Sequence, residues 1–312
     1  MLQDATAGDP IRGTKWTRKT LCTLVKALRG KKFKVGRETV RRLLRQLGYS
    51  LRANRKEGSK RQDPDRDRQM RYLARKRRAF LKAKKPAISV DCKKKELIGN
   101  FKNPGRAWRR EARSVLSTDF PSDADGKAIP YGVYDLARNR GFIGVGVSHE
   151  TAEFAVNVIR RWWDTEGRAA YPGATELLVQ ADAGGANGYR DWTWKWALQR
   201  LADETGLSLV VTHYPTNASK WNWIEHRLFN HLSANWAGEP LVRYETVLKF
   251  IRTTTTETGL CCTGYLDRKH YQTEVKVTPK QRASIRLTRH RALPKWNYTI
   301  RPRQLPTDKT DK

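Results

Sequence analysis

The sequence predicts a mixed α/β fold, a sheet flanked by helices, preceded by a small all-α segment. Three observations carry that expectation. From Pro86 onward, short apolar runs alternate with stretches of helical periodicity. The first runs lie close together, as hairpins do, whereas the later ones are separated by helices, as parallel crossovers require. Ahead of them, residues 14–50 hold two short helical patterns whose outer faces are rich in arginine.

Residues 1–13 contain no apolar run, so they are expected to be disordered and are not a signal peptide. In the first helical pattern Leu21, Leu24, Val25 and Leu28 fall at helical spacing, with Thr17 as the expected N-cap. The second runs from about 37 to 47, with Val40, Leu43, Leu44 and Leu47 on one face and Gly48 just past its end. Residues 51–86 form a connector with fifteen Lys/Arg against four Asp/Glu. Within it a helix is expected from the DPDRDRQ run through Phe80, with acids early and bases late, in accord with the helix dipole.

The larger domain is expected over 87–278. Strands are predicted at 87–91, 129–136, 141–147, 176–181 and 207–213, and helices at 151–163, 189–205, 219–236 and 244–257. Residues 99–128, rich in Gly, Pro, Asn and Arg, read as an inserted loop. The stretch 279–312 reads as a basic tail with weak structural signals.

Charge narrows the function. Lys and Arg number 63 against 31 Asp and Glu, a formal charge of +32, which implies a polyanionic partner. The four cysteines, Cys22, Cys92, Cys261 and Cys262, have no zinc-site spacing and suit a reduced, cytoplasmic protein. No apolar run approaches the roughly 20 residues that cross a bilayer. No GxSxG elbow, GxxxxGK[ST] loop or HExxH helix is present, so serine-hydrolase, P-loop and zinc-peptidase chemistry gains no support.

Three acids sit where acids are costly. Asp91 ends the apolar run AISVD, and Asp182 follows ELLVQA and opens the small-residue turn AGGANG. In open α/β sheets, sites gather beyond the carboxyl ends of strands. Glu225 lies on the edge of the apolar stripe Trp221, Ile224, Leu228 and Leu232. Each has a structural reading: a turn cap for Asp182, an edge residue for Asp91, a salt bridge for Glu225. Together they can form an oxygen-rich pocket for hard divalent ions, two of which, roughly 4 Å apart, would serve an in-line displacement at phosphorus.

The segments SVDCKKKELIGNFKN, PYGVYDLARNRGFIGVGVSHETAEFAVNVIRRWW, ADAGGANGYR and HYPTNASKWNWIEHRLF resemble the Rhodopirellula-type DDE transposases of bacterial insertion sequences. Asn222, Trp223, Ile224 and Glu225 also resemble the Asn-Pro-Ile-Glu motif of the wider mariner-like group. The resemblance covers roughly residues 14–280. It implies a ribonuclease-H-like fold, Mg²⁺ or Mn²⁺ dependence, and a catalytic and metal-binding triad of Asp91, Asp182 and Glu225. Within the motifs, supporting roles fall to Asn187, Lys220, Asn222 and His226. The reaction implied is DNA cleavage at transposon ends followed by strand transfer into target DNA, by a protein that works as a multimer. Relatives carry a further helical segment before the equivalent of Gly13, so a truncated copy is expected. A binding-only repressor derived from a transposase, or a nuclease or resolvase on the same fold, is the alternative reading.

The helices of 17–47 look like a helix-turn-helix, with Arg37, Arg41, Arg42 and Arg45 as groove and phosphate contacts. Arg52, Arg55, Lys56, Lys60 and Arg61 are expected to follow the DNA backbone. The inserted loop adds Lys102, Arg106, Trp108, Arg109 and Arg110, a tryptophan flanked by arginines that suits an unpaired DNA end or, equally, an anchor of the loop to the core.

Overall fold

The computed structural model describes residues 6–8, 15–17, 19–51, 63–216, 218 and 221–303. The chain divides into two compact units, Met1–Gly58 and Ser59–Lys312. In the smaller unit, β1 (Thr6–Gly8) and β2 (Lys15–Thr17) pair antiparallel, so the described part of the N-terminal stretch carries a short ladder where disorder is expected. Helix α1 is Leu21–Gly30 and α2 is Arg37–Gln46. The cap of α1 is Thr20, whose hydroxyl accepts from the Thr23 amide at 3.2 Å, and not Thr17. Gly48 follows α2 at φ +80, the left-handed backbone that ends a helix without a Cβ penalty.

Among the described residues of this unit the core is small: Leu24, Val25 and Val40 are buried, flanked by Leu21, Leu28, Val35 and Leu44. Leu43 and Leu47 are exposed, which corrects the apolar face expected of α2. A two-helix unit has only one apolar seam, and leucines off that seam remain in water.

The larger unit is built on one sheet with strand order β10-β11-β8-β7-β3-β5-β6-β9 and β4 paired to β5. Its strands are β3 (Ala87–Cys92), β4 (Glu96–Ile98), β5 (Gly126–Asp135), β6 (Arg140–Gly146), β7 (Glu176–Ala181), β8 (Ser208–His213), β9 (Cys261–Asp267), β10 (Leu287–Arg289) and β11 (Asn297–Ile300). The meander β3-β5-β6 is antiparallel, and β7 and β8 follow parallel to β3. This is the ribonuclease-H-like layout that the motif resemblance implies.

Both faces are covered, and the side-chain alternation of the strands divides them. Ile88, Val90, Leu177, Val179, Leu209 and Val211 pack on one face with α4 (Ala152–Trp162) and α6 (Trp192–Thr205), between which in the chain lies the short α5 (Arg168–Ala170). Ala87, Leu178 and Val210 pack on the other with the C-terminal end of α3 (Arg66–Lys82), α7 (Asn230–Asn235) and α8 (Tyr244–Arg252). The connector helix is thus part of the larger unit. Gln69 is fully buried and donates to the His213 carbonyl and the Asn297 side chain, both at 2.8 Å.

Residues 279–300 are no disordered tail. They form α9 (Pro279–Ala283) and then β10 and β11, and β11 extends the sheet antiparallel to β8. Trp296, Tyr298 and Ile300 are buried there. The strands are short and flanked by arginines, so composition outweighs their alternation when the sequence is read. The helix expected at 219–236 also differs: a π-helical turn, Glu225–Phe229, leads into α7. Ile224, Leu228 and Leu232 are buried as expected, whereas Trp221 is exposed.

Candidate active site

Register places the two aspartates side by side. Val90 of β3 pairs with Ala181 of the parallel strand β7, so Asp91 and Asp182 are the next residues on adjacent strands. Neighbouring strands lie about 4.8 Å apart. On its other side Asp91 pairs with Gly132 of β5. A Cβ on Gly132 would meet Phe229 at 2.7 Å and Ile224 at 2.9 Å, so this glycine lets the segment carrying Glu225 settle close against β5, beside Asp91. The π turn begins at Glu225 itself, a distortion that often marks functional positions.

Each aspartate is held by donors. Asp91 accepts from its neighbouring Cys92 amide and from the Asn222 side chain, both at 2.8 Å. Asn222 is fully buried, and its own oxygen accepts from the Ser89 hydroxyl at 2.7 Å. Asp182 accepts from the Asn187 side chain at 3.1 Å and the Gly184 amide at 3.2 Å. Asn187 in turn accepts from the Tyr131 hydroxyl at 2.6 Å. Behind Asp182, His213 Nδ1 donates to the Asp182 carbonyl at 2.8 Å, and Nε2 accepts from the Tyr298 hydroxyl at 3.0 Å. That arrangement fixes a neutral imidazole, and burial pushes the His213 pKa down to about 4.

The three acids are electrostatically joined. Burial raises Asp91 well above the usual carboxylate range, and the charges of Asp182 and Glu225 raise it further. Burial raises Asp182, with Glu150 and Glu225 adding to the rise against the donors Asn187 and Gly184. Burial raises Glu225, against His226 and Lys93. Among the described residues, no group of three or more His, Cys, Asp or Glu side chains stands close enough to hold one metal ion together. The chemistry of the set still fits a hard divalent cation. It offers only oxygens, two carboxylates sit on adjacent strand ends, and their mutual repulsion calls for added positive charge.

Sequence reasoning missed several groups. Glu150 bonds Lys95 at 3.1 Å and lies near the turn after Asp182, where its oxygen would be 2.7 Å from a Cβ on Gly185. Lys93 is buried, ion-paired to Glu96 at 2.6 Å and stacked over Trp236 at 4.6 Å. Lys93, Lys94 and Glu225 line a cavity of about 380 Å³ with Trp236 and Asn230. Glu150 precedes the N-cap of a helix, where acids are common, so nothing in the sequence marked it. The register of Cys92 and Lys93 next to Asp91 could have marked Lys93.

The remaining expected residues scatter. His226 is exposed on the helix beside Glu225. Trp223, at the position of the motif's proline, is covered by Arg77 at 4.1 Å and Arg227 at 5.4 Å. In the inserted loop, Trp108 is fully exposed, which removes the anchoring role. Arg109 is ion-paired to Glu239 and donates to the Gly238 carbonyl, so its guanidinium holds the loop in place. Lys102, Arg106 and Arg110 are exposed. In the smaller unit Arg37, Arg41, Arg42 and Arg45 are exposed, with Arg41 paired to Glu38 at 2.7 Å. Arg52, Arg55, Lys56, Lys60, Arg61 and Lys220 lie outside the described residues.

A mixed sheet with aspartates at two adjacent strand ends and a glutamate on a later helix suits metal-dependent phosphoryl transfer, and the family match sets the class, the DNA transposases of the DDE type. Within it the chain belongs to the family described as the Rhodopirellula transposase DDE domain, whose model matches residues 1–302. Among solved structures, the chain is similar to the Mos1 mariner paired-end complex with Mn, at 16% identity and a TM-score of 0.43, covering 78% of this chain and 72% of that one. It is similar to the Mos1 strand transfer complex at 15% identity and a TM-score of 0.44, with the same coverage. No curated protein matches the sequence. No helix among the described residues is long and apolar enough to cross a membrane.

Proposed function

We propose that this transposase cuts and joins DNA at a site formed by Asp91, Asp182 and Glu225, in which the two adjacent aspartates first hold Mg²⁺ or Mn²⁺ and Glu225 closes in as a ligand once metal and DNA are bound. The observation that carries the reading is the register of β3 and β7, which sets Asp91 beside Asp182 at the carboxyl edge of the sheet. A bound pair of divalent ions would supply charge neutralisation for an attacking and a leaving oxygen at phosphorus. The chain's own residues prepare that chemistry. Asn222 and the Cys92 amide orient the Asp91 carboxylate, and Asn187, fixed by Tyr131, orients Asp182. The neutral His213 anchors the Asp182 backbone without adding a charge that competes with a cation. Lys94, exposed beside Glu225 in one cavity, attracts the DNA phosphates, whereas the buried Lys93 is neutralised by Glu96.

The substrates in this reading are the element's terminal repeats and target DNA. The exposed arginines of α2 make the first contact, and a multimer brings two ends together. Four free cysteines suit work in the reducing cytoplasm. The test is nicking of a plasmid that carries the terminal repeats, in the presence of Mg²⁺ or Mn²⁺. Asp182→Ala is expected to lower the nicking rate by at least about 10³-fold, roughly 4 kcal/mol in barrier. Nicking at the parent rate by that variant would sink the assignment.

A further inference from the structure

Helix α3 carries a stripe of five cations that the site does not use. Arg68, Arg71, Arg75, Arg78 and Lys82 are all exposed. At 100° per residue they fall within an arc of about 80°, and at 1.5 Å per residue they span about 21 Å. The opposite face is locked to the sheet. Gln69 bonds the end of β8 and β11, and the Leu73 carbonyl accepts from Gln180 of β7 at 3.1 Å. Tyr72, Leu73 and Phe80 are buried. The stripe is therefore presented on a rigid mount.

Its direction matters. The first turn of α3 touches His213, the last residue of β8, which pairs with Ala181 immediately before Asp182. The helix then runs back along the sheet to the loop that opens β3. The stripe starts at the carboxylate edge and leads away from it.

An ordinary solvated helix face mixes its charges. Here the neighbours 68–71, 71–75, 75–78 and 78–82 are all like-charged pairs at three or four residues, each of them repulsive. The only acid on that side is Asp67, in the first turn. Among the described residues none of the five is in an ion pair, and Arg75 alone has a ring partner, Tyr72 at 5.2 Å. A rigid linear array of uncompensated cations is complementary to a linear polyanion. Its length of about 21 Å corresponds to about six base pairs at 3.4 Å each.

We propose that the α3 stripe binds the phosphate backbone of duplex DNA that flanks the reacting phosphodiester and fixes how the duplex leaves the active site. This extends the reading of the acidic site as a DNA-cutting centre and rests on it for the identity of the polymer. The residues act by position and charge and read no sequence.

The experiment measures binding of the full chain to a 30-base-pair duplex by fluorescence anisotropy, in EDTA, across a series of salt concentrations. In the triple variant R71Q/R75Q/R78Q the slope of log affinity against log salt is expected to become shallower by about 2.7, at about 0.9 per phosphate contact. A control, K249Q/K276Q/K280Q, removes equal charge from exposed positions off the helix and is expected to change the slope by less than about 1. An unchanged slope in the stripe variant, or an equal change in the control, overturns the proposal. So does a stripe variant that binds duplex normally but loses self-association in sedimentation, since the partner is then a second copy. Glutamine keeps the helix propensity, and the single variant R75Q, expected to shift the slope by about 0.9, serves if the triple variant fails to fold. Binding in EDTA does not depend on cleavage, so failure of the acidic site would show in the nicking assay and leave this readout intact.

Discussion

Asn222 holds two buried groups in place at once: its amide donates to Asp91 at 2.8 Å and its oxygen accepts from Ser89 at 2.7 Å. Without it, Asp91 keeps only the donor from its neighbouring amide and is free to rotate. Asn222→Ala is therefore expected to lower the nicking rate and to raise the Mn²⁺ concentration needed for half-maximal nicking, each by about 10–100-fold, the usual cost of losing a group that orients a metal ligand. A variant with the parent rate and Mn²⁺ dependence would refute the positioning role. At this scale the sequence is informative about Asp91 and Asp182, because a carboxylate at the end of a buried apolar strand is costly unless a partner or a cation offsets its charge. It is silent about Glu150, Tyr131 and Ser89. Their roles arise from contacts between strands and helices far apart in the chain, and each is ordinary in its local context.

Among the elements, the strongly periodic ones were legible. The runs that became β3, β7 and β8 are buried on both faces and read as unbroken apolar stretches. Less legible were β4, β9, β10 and β11, edge or near-edge strands whose polar and arginine-rich flanks mask the alternation. The last of these matters most. Tyr298 supplies the hydroxyl that fixes His213 and accepts from Trp194 at 3.1 Å, and Trp296, Tyr298 and Ile300 are buried. At about 2 kcal/mol per large buried side chain, removing them forfeits about 6 kcal/mol, a large part of the 5–15 kcal/mol that is typical of a folded domain. It also leaves β8 as an open edge. A chain ending at Ala283 is expected to melt at least about 10 °C below the full chain or to be recovered only as aggregate. Melting within about 2 °C of the parent in a thermal scan would show that β11 is dispensable.

For the molecule as a whole, the large positive charge comes from Lys and Arg, which do not titrate between pH 4 and 7, and buried groups with shifted pKa values contribute to the pH dependence of stability. Two opposing sets are present. Asp91, Asp182 and Glu225 have folded-state pKa values raised above their unfolded values. The folded chain takes up their protons first, so in the absence of metal they favour folding increasingly as pH falls through those raised values. His213 acts the other way. The unfolded chain protonates it near 6.5, while the folded chain resists until about 4. Its contribution is complete above about pH 6.5 and is lost as pH falls toward about 4, up to about 3 kcal/mol at about 1.4 kcal/mol per pH unit. The balance is separable with His213→Gln, which keeps an amide donor for the Asp182 carbonyl and cannot be protonated. Measured by urea unfolding in EDTA, the variant is expected to gain stability relative to the parent as pH is lowered from 7 to 4.5, by as much as about 2–3 kcal/mol. Two curves that stay parallel over that interval would mean that the folded protein protonates His213 as readily as the unfolded chain does, and that the hydrogen bonds from Asp182 through His213 to Tyr298 are not the ones that position the acid.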